Sequence, residues 1–361
     1  MSATTTAGTL SKKDFESSQE VRWCPGCGDY AVIAQLQKLL PTLGIARENF
    51  VFISGIGCSS RFPYYMETYG MHGIHGRAPA IATGLKIARP ELSVWVATGD
   101  GDALAIGGNH FIHALRRNIG LKILLFNNRI YGLTKGQASP TSEFGKKTKT
   151  TPLGSIDRPL NPVAVALAAG ASFVARVVDV DQPMVGAVLR RAAAHNGTAV
   201  IEILQNCIIF NDGAFEHLAD KKTRDDHRLV LAHGEPLVFG KNRDKGIRLN
   251  GLEPEAVALG QNGVTEADLP IHDERAGHGG LAYVLAQLDA PDFPVPLGVF
   301  RDVDAAAYEA LNLRLRDEAQ AAKGKGDLTK LLKSGETWIV ADAPERLGGE
   351  MAGERLAVRS E

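Results

Sequence analysis

Apolar runs rich in β-branched residues alternate with longer amphipathic segments over the first 210 residues of the chain. Runs of this kind predict buried strands, and the apolar spacing of the longer segments predicts helices. The predicted strands cover residues 50–54, 93–98, 121–127, 172–178 and 199–204, and the predicted helices cover residues 30–40, 78–88, 105–117, 162–169 and 183–195. This alternation indicates an α/β fold, with a mostly parallel sheet and helices on both of its faces.

The patterning divides the chain into three segments. Residues 1–20 form a polar N-terminal segment, residues 21–215 carry the strand and helix pattern, and residues 216–361 are predicted to be a C-terminal extension that contacts a partner. The extension is largely polar, with a further helix predicted at residues 303–322 and a tail over its last ~25 residues. Residues 132–159 have no periodicity, and so long a loop inside a compact domain usually has a binding function.

The composition is ordinary for a globular protein, with 44% hydrophobic and 22% charged residues in a chain of 361. The N-terminus lacks the apolar core of a signal peptide, and no apolar stretch is long enough to span a bilayer. We therefore expect a cytoplasmic protein with no membrane partner.

The net charge of −1 hides an asymmetry between the two parts of the chain. Residues 1–210 hold 21 Lys+Arg and 14 Asp+Glu, net +7, whereas residues 211–361 hold 19 and 27, net −8. The small total argues against a nucleic-acid partner, and the basic body favours anionic ligands or an acidic protein. Two solvated halves of opposite charge explain the same numbers equally well.

Polar residues follow two neighbouring predicted strands at their carboxyl ends. Asp100 lies in Gly-Asp-Gly-Asp after the second strand, and Asn127 and Asn128 end the third. One helix between these strands has the right length for a parallel crossover, so both strands end at the same edge of the sheet. A carboxylate, an amide oxygen and a backbone carbonyl, such as that of Ile130, form the hard-oxygen set that suits Mg²⁺ with a diphosphate.

The glycine pattern is not a dinucleotide-binding fingerprint, because the third glycine of G-x-G-x-x-G would fall on Leu104. A lone Gly-Asp-Gly belongs to a simple turn about as often as it belongs to a cofactor site. With two asparagines at this spacing, however, it matches the signature of thiamine diphosphate (TPP) sites. The sequence therefore predicts a site for TPP and Mg²⁺.

Four cysteines occur in the chain, Cys24 and Cys27 in one Cys-Pro-Gly-Cys turn and Cys58 and Cys207 after predicted strands. A cytosolic chain of this size needs no disulfides, which favours metal or redox chemistry. A [4Fe–4S] cluster and structural zinc each take four cysteines, although zinc ribbons usually pair two C-x-x-C turns. Unrelated cysteines are the third alternative. A neighbouring TPP, which generates reducing carbanions, favours the cluster.

Six motifs stand out as a set: WCPGCGDY, SGIGCSSR, YGMHGIHGRAPAIATGLK, GDGDALAIGGNHFIHALRRNI, LLFNNRIYGLTKGQASPTS and IEILQNC. Together they resemble the β subunits of 2-oxoacid:ferredoxin oxidoreductases, most of all the 2-oxoglutarate members. The resemblance spans roughly residues 21–215 and implies the TPP-binding fold. It also implies TPP, Mg²⁺ and one [4Fe–4S] cluster as cofactors, coenzyme A as the acyl acceptor and ferredoxin as the electron acceptor.

The resemblance also implies roles for individual residues. The Mg²⁺ ligands would be Asp100, Asn128 and the carbonyl of Ile130, and the cluster ligands would be Cys24, Cys27, Cys58 and Cys207. Gly101, Asp102, Gly132 and Leu133 would line the diphosphate, and Ile56, Gly57, Cys58, Ser59 and His75 would line the rest of TPP.

Two catalytic side chains are predicted within this set. The second carboxylate of 2-oxoglutarate needs a fixed cation, for which Arg61 is the first candidate and Arg77 and Lys135 the next. His75, in a glycine-rich loop, is a candidate proton donor, although loop histidines are more often simply solvated. The alternative to a substrate-binding role is that each of these cations is a surface charge or contacts the diphosphate.

One departure concerns the glutamate that activates the aminopyrimidine of TPP, because no glutamate of this chain stands in an evident position for it. The resemblance implies that a partner α subunit supplies it, so that this chain is active only in complex. Three alternatives stay open: the same chemistry on pyruvate or branched 2-oxoacids, a non-oxidative TPP decarboxylase with structural zinc, and a scaffold with a vestigial cofactor fold.

Overall fold

Parallel strands form the centre of one compact unit, whose described part covers residues 10–313 of the computed structural model. The structure describes residues 10–336 and residue 338. Its strands are β1 (Phe50–Ser54), β2 (Tyr69–His72), β3 (Ser93–Gly99), β4 (Leu121–Asn127), β5 (Phe173–Val178), β6 (Ala199–Leu204), β7 (Arg228–Leu231), β8 (Val238–Phe239), β9 (Lys245–Asn250), β10 (Glu253–Ala258) and β11 (Val295–Asp302). Its α-helices are α1 (Asp29–Leu39), α2 (Ala78–Ala88), α3 (Asp100–Leu104), α4 (Gly108–Arg116), α5 (Pro162–Ala168), α6 (Gln182–Ala194), α7 (Glu216–Ala219), α8 (Arg224–His227), α9 (Gly280–Ala286), α10 (Tyr308–Lys323) and α11 (Leu328–Leu332).

Eight strands form one sheet in the order β2-β1-β3-β4-β6-β5-β11-β7. Every neighbouring pair is parallel except β5 and β11, which are antiparallel. The strands β8, β9 and β10 form a second, antiparallel sheet. The mostly parallel α/β architecture is thus the one that the sequence predicts.

Alternate residues of the central strands pack into two apolar clusters, one on each face of the large sheet. Val51 and Ile53 of β1 join the cluster that includes residues of α2 and α4. Phe50 and Phe52, which point the other way, join the cluster that includes residues of α1 and α6. Burial on both faces explains why the strands appear in the sequence as continuous apolar runs.

The predicted helix at 105–117 is wrong at its beginning. The short helix α3 starts at Asp100, the chain leaves helical geometry at Ala105, and α4 starts only at Gly108. Tight packing explains the break, because a Cβ on Gly107 would lie 3.0 Å from the Cα of Gly76. The interruption lets the loop around Gly76 approach this point.

The large sheet continues beyond residue 215, because β11 and β7 extend it past β5. The sequence analysis predicts neither strand. In β11 the apolar run contains Pro296 and Gly298, two residues that argue against a strand interior, and the ladder shifts register after Val299. The contact of residues 216–361 with a partner stays a prediction.

A second unit begins at Arg314, and its described part, residues 314–336 and residue 338, contains the end of α10 and the helix α11. The predicted helix at 303–322 is observed as α10. The predicted C-terminal tail lies almost entirely outside the described residues. Among the helices that the structure describes, none is both long and apolar enough to cross a membrane.

Candidate active site

The carboxyl ends of β1, β3, β4 and β6 lie side by side at one edge of the sheet, because these four strands are neighbours and parallel. The segments that follow them carry all the predicted site residues except Cys24, Cys27, His75 and Arg77. Ligands of open α/β sheets bind at such an edge.

One cavity at this edge, the inner cavity, is lined by every residue predicted for TPP and Mg²⁺. These residues are Ile56, Gly57, Cys58, Ser59, His75, Asp100, Gly101, Asp102, Asn128, Ile130, Gly132 and Leu133. Three of them, Ile56, Gly57 and Leu133, also line an outer cavity of about 430 Å³. A cofactor bound in the inner cavity can therefore extend toward the outer one.

Asp102 joins three loops of the inner cavity. Its Oδ1 atom accepts hydrogen bonds from the amides of Ile56 (3.1 Å) and Gly76 (2.7 Å), and its Oδ2 atom accepts one from Thr98 (2.7 Å). The Nδ1 atom of His75 lies 2.6 Å from Oδ1. Asp102 thereby ties the loop after β1 to the loop that contains Gly76, and His75 lies beside its Oδ1 atom.

Asp100 is almost fully buried beside the inner cavity, with 3% of its surface exposed. Burial raises the pKa of its carboxyl to about 6, against the lowering effect of hydroxyl donors. These donors are Ser139 and Thr141, each 2.5 Å from Oδ2 of Asp100. Sequence reasoning missed both residues, although they lie in the aperiodic loop for which it predicted a binding function.

The two consecutive asparagines after β4 have different surroundings. The Nδ2 atom of Asn127 donates to Glu202 (2.7 Å), and its Oδ1 atom lies 2.9 Å from the Thr141 hydroxyl. Asn128 lines the inner cavity, where its Oδ1 atom accepts from the amide of Ile130 at 3.1 Å. Because an amide oxygen has two lone pairs, it keeps one for a metal ion.

The oxygen donors of the inner cavity fit the group that the signature implies. Asp100, Asn128 and Ile130 all line this cavity, and a carboxylate, an amide oxygen and a backbone carbonyl are the donor chemistry that Mg²⁺ takes beside a diphosphate. Only a glycine fits at Gly101, because a Cβ there would lie 2.2 Å from the ring of Tyr131.

All four cysteines line a single further cavity of about 430 Å³, the cysteine cavity. Burial raises the pKa of the Cys58 thiol to about 12, and it also raises the pKa of Cys27. Thiolates there are therefore unfavourable unless a cationic centre compensates their charge, which fits a metal cluster.

The zinc alternative fits this cavity less well. Between residues 10 and 336, no three His, Cys, Asp or Glu side chains stand close enough together to hold one metal ion. Zinc needs four sulfurs at ~2.3 Å from a common point. An iron–sulfur cluster binds each cysteine at a different iron, so its ligands surround a larger volume.

The cysteine cavity and the inner cavity share a wall. Cys58, Asn128, Gly132, Leu133 and Gln205 line both. A Cβ on Gly132 would lie 3.6 Å from Sγ of Cys58 and 3.5 Å from Sγ of Cys207. The thickness of one polypeptide segment thus separates the two cavities.

The three candidate cations point in different directions. Arg61 lines both the outer cavity and the cysteine cavity, and Lys135 lines only the cysteine cavity. Arg77 instead donates to the carbonyls of His75 and Ile106, each at 3.3 Å. Of the three, Arg61 alone faces the outer cavity.

A further charged residue beside the cysteines was missed by the sequence analysis. Asp29 is 1% exposed, lies next to Cys27 and has a pKa that burial raises to about 7. Its only sequence signal is its place in the Cys-Gly-Asp run that opens α1. Gln205 also contacts this cysteine, with Nε2 3.2 Å from Sγ of Cys27.

Comparison with known families agrees with this geometry. Residues 55–203 match the family described as thiamine pyrophosphate enzyme, C-terminal TPP binding domain. This range begins directly after β1 and contains the carboxyl ends of β3 and β4, which are followed by Asp100 and Asn128. The fold and the site thus define a TPP-binding enzyme domain.

Individual relatives narrow the assignment. The 2-oxoglutarate oxidoreductase subunit KorB of Mycobacterium tuberculosis is 53% identical over 331 residues, 91% of this chain and 88% of that protein. The 2-oxoacid:ferredoxin oxidoreductase 1 subunit beta of Aeropyrum pernix is 46% identical over 190 residues, 53% of this chain and 60% of that one. A solved structure of a 2-oxoglutarate:ferredoxin oxidoreductase from Magnetococcus marinus, with 2-oxoglutarate, coenzyme A and succinyl-CoA bound, covers 90% of this chain and 95% of its own at 31% identity and a TM-score of 0.69. The chain belongs to the β subunits of the 2-oxoacid:ferredoxin oxidoreductases.

Proposed function

We propose that this chain, with an α subunit, oxidatively decarboxylates 2-oxoglutarate to succinyl-CoA and CO₂ and passes the electrons through one [4Fe–4S] cluster to ferredoxin. The observation that carries the proposal is the wall that the inner cavity and the cysteine cavity share, formed by Cys58 and Gly132 among others. An electron donor and an acceptor on the two sides of one polypeptide segment are close enough for direct transfer.

In this proposal the inner cavity holds TPP and Mg²⁺. Asp100, Asn128 and the Ile130 carbonyl bind the metal ion, and Gly101 gives the backbone close access to the diphosphate. When bound, TPP supplies the nucleophilic carbon and the electron sink that decarboxylation of a 2-oxoacid requires. Asp102 lines the same cavity, but four contacts already engage its carboxylate, so its part is to hold the loops rather than to ligate.

Two side chains act on the substrate in this proposal. Arg61 binds the distal carboxylate of 2-oxoglutarate in the outer cavity, and the bidentate geometry of a guanidinium suits that group. His75, whose Nδ1 atom lies 2.6 Å from Asp102, hydrogen-bonds or donates a proton to the reacting group.

Electrons leave through the cysteine cavity in this proposal. Cys24, Cys27, Cys58 and Cys207 bind the cluster. For each substrate, two electrons are released as the acyl carbon becomes a thioester of coenzyme A, the carboxyl departs as CO₂ and the thiol proton passes to solvent. The cluster transfers them one at a time to two ferredoxins.

The surroundings of the cysteine cavity support an acidic electron acceptor. Its described lining includes three cations, Arg22, Arg61 and Lys135, and no carboxylate. Cys24 is exposed at the same place. A small acidic protein such as ferredoxin would therefore be attracted to the side on which the cluster lies nearest the surface.

The α subunit completes the proposal, because no glutamate is among the residues that line the inner cavity. It would supply the carboxylate that activates TPP, so this chain alone should not turn over. The four cysteines are free thiols, which suits the reducing cytoplasm as the site of action.

The test is anaerobic co-expression with the α subunit. We expect a brown complex with about four irons per β chain, whose cluster is reduced by 2-oxoglutarate and coenzyme A and which reduces viologen. Pyruvate and branched 2-oxoacids are tested as alternative substrates. A faster rate with either of them than with 2-oxoglutarate would show that 2-oxoglutarate is not the preferred substrate. A colourless complex that contains zinc and leaves viologen oxidised would overturn the proposal.

A further inference from the structure

The two hydroxyls on Asp100 come from a turn that two reciprocal hydrogen bonds close. In this turn, residues 139–142, the amide of Ser139 donates to Oγ of Ser142 at 2.8 Å, and the amide of Ser142 donates back to the carbonyl of Ser139 at 3.0 Å. Ser139, Thr141 and Ser142 are all buried. These reciprocal bonds fix the positions from which the hydroxyls of Ser139 and Thr141 reach Asp100.

The same turn is attached to the segment that carries the other metal donors. The Oγ atom of Ser142 donates to the carbonyl of Arg129 at 2.6 Å, between Asn128 and Ile130 in the chain. One rigid turn therefore contacts Asp100 after β3 and the segment after β4 simultaneously. It sets the separation of the donors that the two strands provide.

A buried polar network lies beside the turn. Asn127, whose Oδ1 atom is 2.9 Å from the Thr141 hydroxyl, donates to Glu202 at 2.7 Å, and Glu202 accepts from Nε of Arg176 at 2.6 Å. Arg176 and Glu202 are both buried, so this pair has little freedom to move. The turn therefore packs next to side chains that β4, β5 and β6 hold in place.

The donors on Asp100 are neutral, and this matters for a metal site. Distances of 2.5 Å are typical of a hydroxyl that donates to an ionised carboxylate. Since a hydroxyl has one hydrogen, Thr141 donates to one oxygen only, and the charge and shorter distance favour Asp100 over Asn127. A lysine or arginine in the same place would neutralise the carboxylate, whereas two hydroxyls orient it and leave its charge available.

Both hydroxyls bind the same oxygen of Asp100. The hydrogen bonds found between residues 10 and 336 give Oδ2 two side-chain donors and Oδ1 none. The two side-chain hydroxyls thus hold one oxygen of the carboxylate and leave the other without a side-chain donor among the described residues. This is the arrangement expected of a ligand that is oriented before its metal ion arrives.

We infer that Ser139 and Thr141 are positioning residues for the metal ion, which hold Asp100 in one orientation and make the site selective for Mg²⁺ over Ca²⁺. The inference rests on the Mg²⁺ site of the proposed function. Mg²⁺ demands near-ideal octahedral geometry with short bonds, whereas Ca²⁺ accepts irregular geometry and longer bonds. A carboxylate that is free to rotate should therefore lose affinity for Mg²⁺ more than for Ca²⁺.

The experiment uses the complex with the α subunit after removal of TPP and metal. Isothermal titration with Mg²⁺ and with Ca²⁺, each in the presence of TPP, gives two affinities for every variant. Thr141→Val and Ser139→Ala should each weaken Mg²⁺ binding about tenfold or more and lower the ratio of Mg²⁺ to Ca²⁺ affinity. Thr141→Ser, which keeps the hydroxyl, should restore the wild-type ratio, and Thr150→Val makes the same change at an exposed position as a control.

The outcomes separate this inference from the proposed function. Wild-type complex that binds TPP without any divalent cation overturns the proposed metal site itself. Wild-type binding that depends on Mg²⁺, with unchanged affinities and ratio in Thr141→Val and Ser139→Ala, overturns only the inference. Should Thr141→Val fail to assemble, Ser139→Ala decides the matter, because it removes a single atom and adds none.

Discussion

The hydroxyl of Tyr131 donates to the carbonyl of Gly101 at 3.1 Å, and a Cβ on Gly101 would lie 2.2 Å from the ring of Tyr131. Tyr131 follows β4 and Gly101 follows β3, so this contact joins the two loops that line the inner cavity. No methyl group fits between them. The glycine is therefore required by the neighbouring ring rather than by its backbone angles.

Gly101→Ala should impair cofactor binding, because the added methyl group must displace Tyr131 from the wall of the inner cavity. We expect TPP affinity, measured by calorimetry on the complex, to fall about tenfold or more. Gly84→Ala is the matched control, since Gly84 lies exposed in α2 with open space where its Cβ would be. Equal affinities in both variants would show that the ring can move away at no cost.

Asp100→Asn should make the protein without metal more stable while it abolishes the proposed metal site. Burial raises the pKa of Asp100 to about 6, above its usual value of 3.8, so the folded protein takes up a proton more readily than the unfolded chain. Ionisation of Asp100 thus costs stability as the pH rises from about 4 to about 6, and above that range the cost is roughly 3 kcal/mol.

Thermal unfolding of the metal-free complex checks this prediction. At pH 7 the Asn variant should melt at a higher temperature than the wild type, and at pH 4 the difference should vanish. In the presence of Mg²⁺ and TPP the order should reverse, because only the wild type gains stability from the ligands. A variant that melts below the wild type at pH 7 without ligands would contradict the assigned cost of burial.

The half-buried cysteines Cys27 and Cys58 should react slowly in protein from which the proposed cluster has been removed. Alkylation requires the thiolate, and burial raises the pKa of both Cys27 and Cys58, so little thiolate exists at pH 8. Cys24 is exposed and should react first. Mass spectrometry of iodoacetamide-treated peptides gives the three rates in one experiment, and the holoprotein is the protected control. Equal rates at Cys24 and Cys58 would mean that the cysteine cavity opens when it is empty.

Arg61→Ala should change substrate preference rather than simply inactivate the enzyme. The loss of the guanidinium removes the partner of the distal carboxylate, so kcat/KM for 2-oxoglutarate should fall about a hundredfold while that for pyruvate, which lacks this group, changes little. Arg77→Ala is the control, because Arg77 bonds the carbonyls of His75 and Ile106 instead of facing the outer cavity. An unchanged preference in Arg61→Ala would remove this residue from the substrate site.

Local pattern was enough to determine the main strands and the family. β1, β4 and β6 match their predicted bounds, because a strand buried on both faces leaves a continuous apolar run whatever its neighbours are. The Gly-Asp-Gly, Asn-Asn and Cys-Pro-Gly-Cys motifs each span only a few consecutive residues. They can therefore be recognised in the sequence without knowledge of the fold. The relatives confirm the family to which these motifs belong.

Tertiary structure alone decided how those motifs meet. Ser139 and Thr141 reach Asp100 from about forty positions away along the chain, through an aperiodic loop whose path no local rule specifies. The different surroundings of Asn127 and Asn128 likewise depend on Glu202, which β6 brings alongside β4. The sequence pattern reflects the conformational preferences of neighbouring residues. Contacts between distant loops form only when the strand order of the sheet brings those loops together.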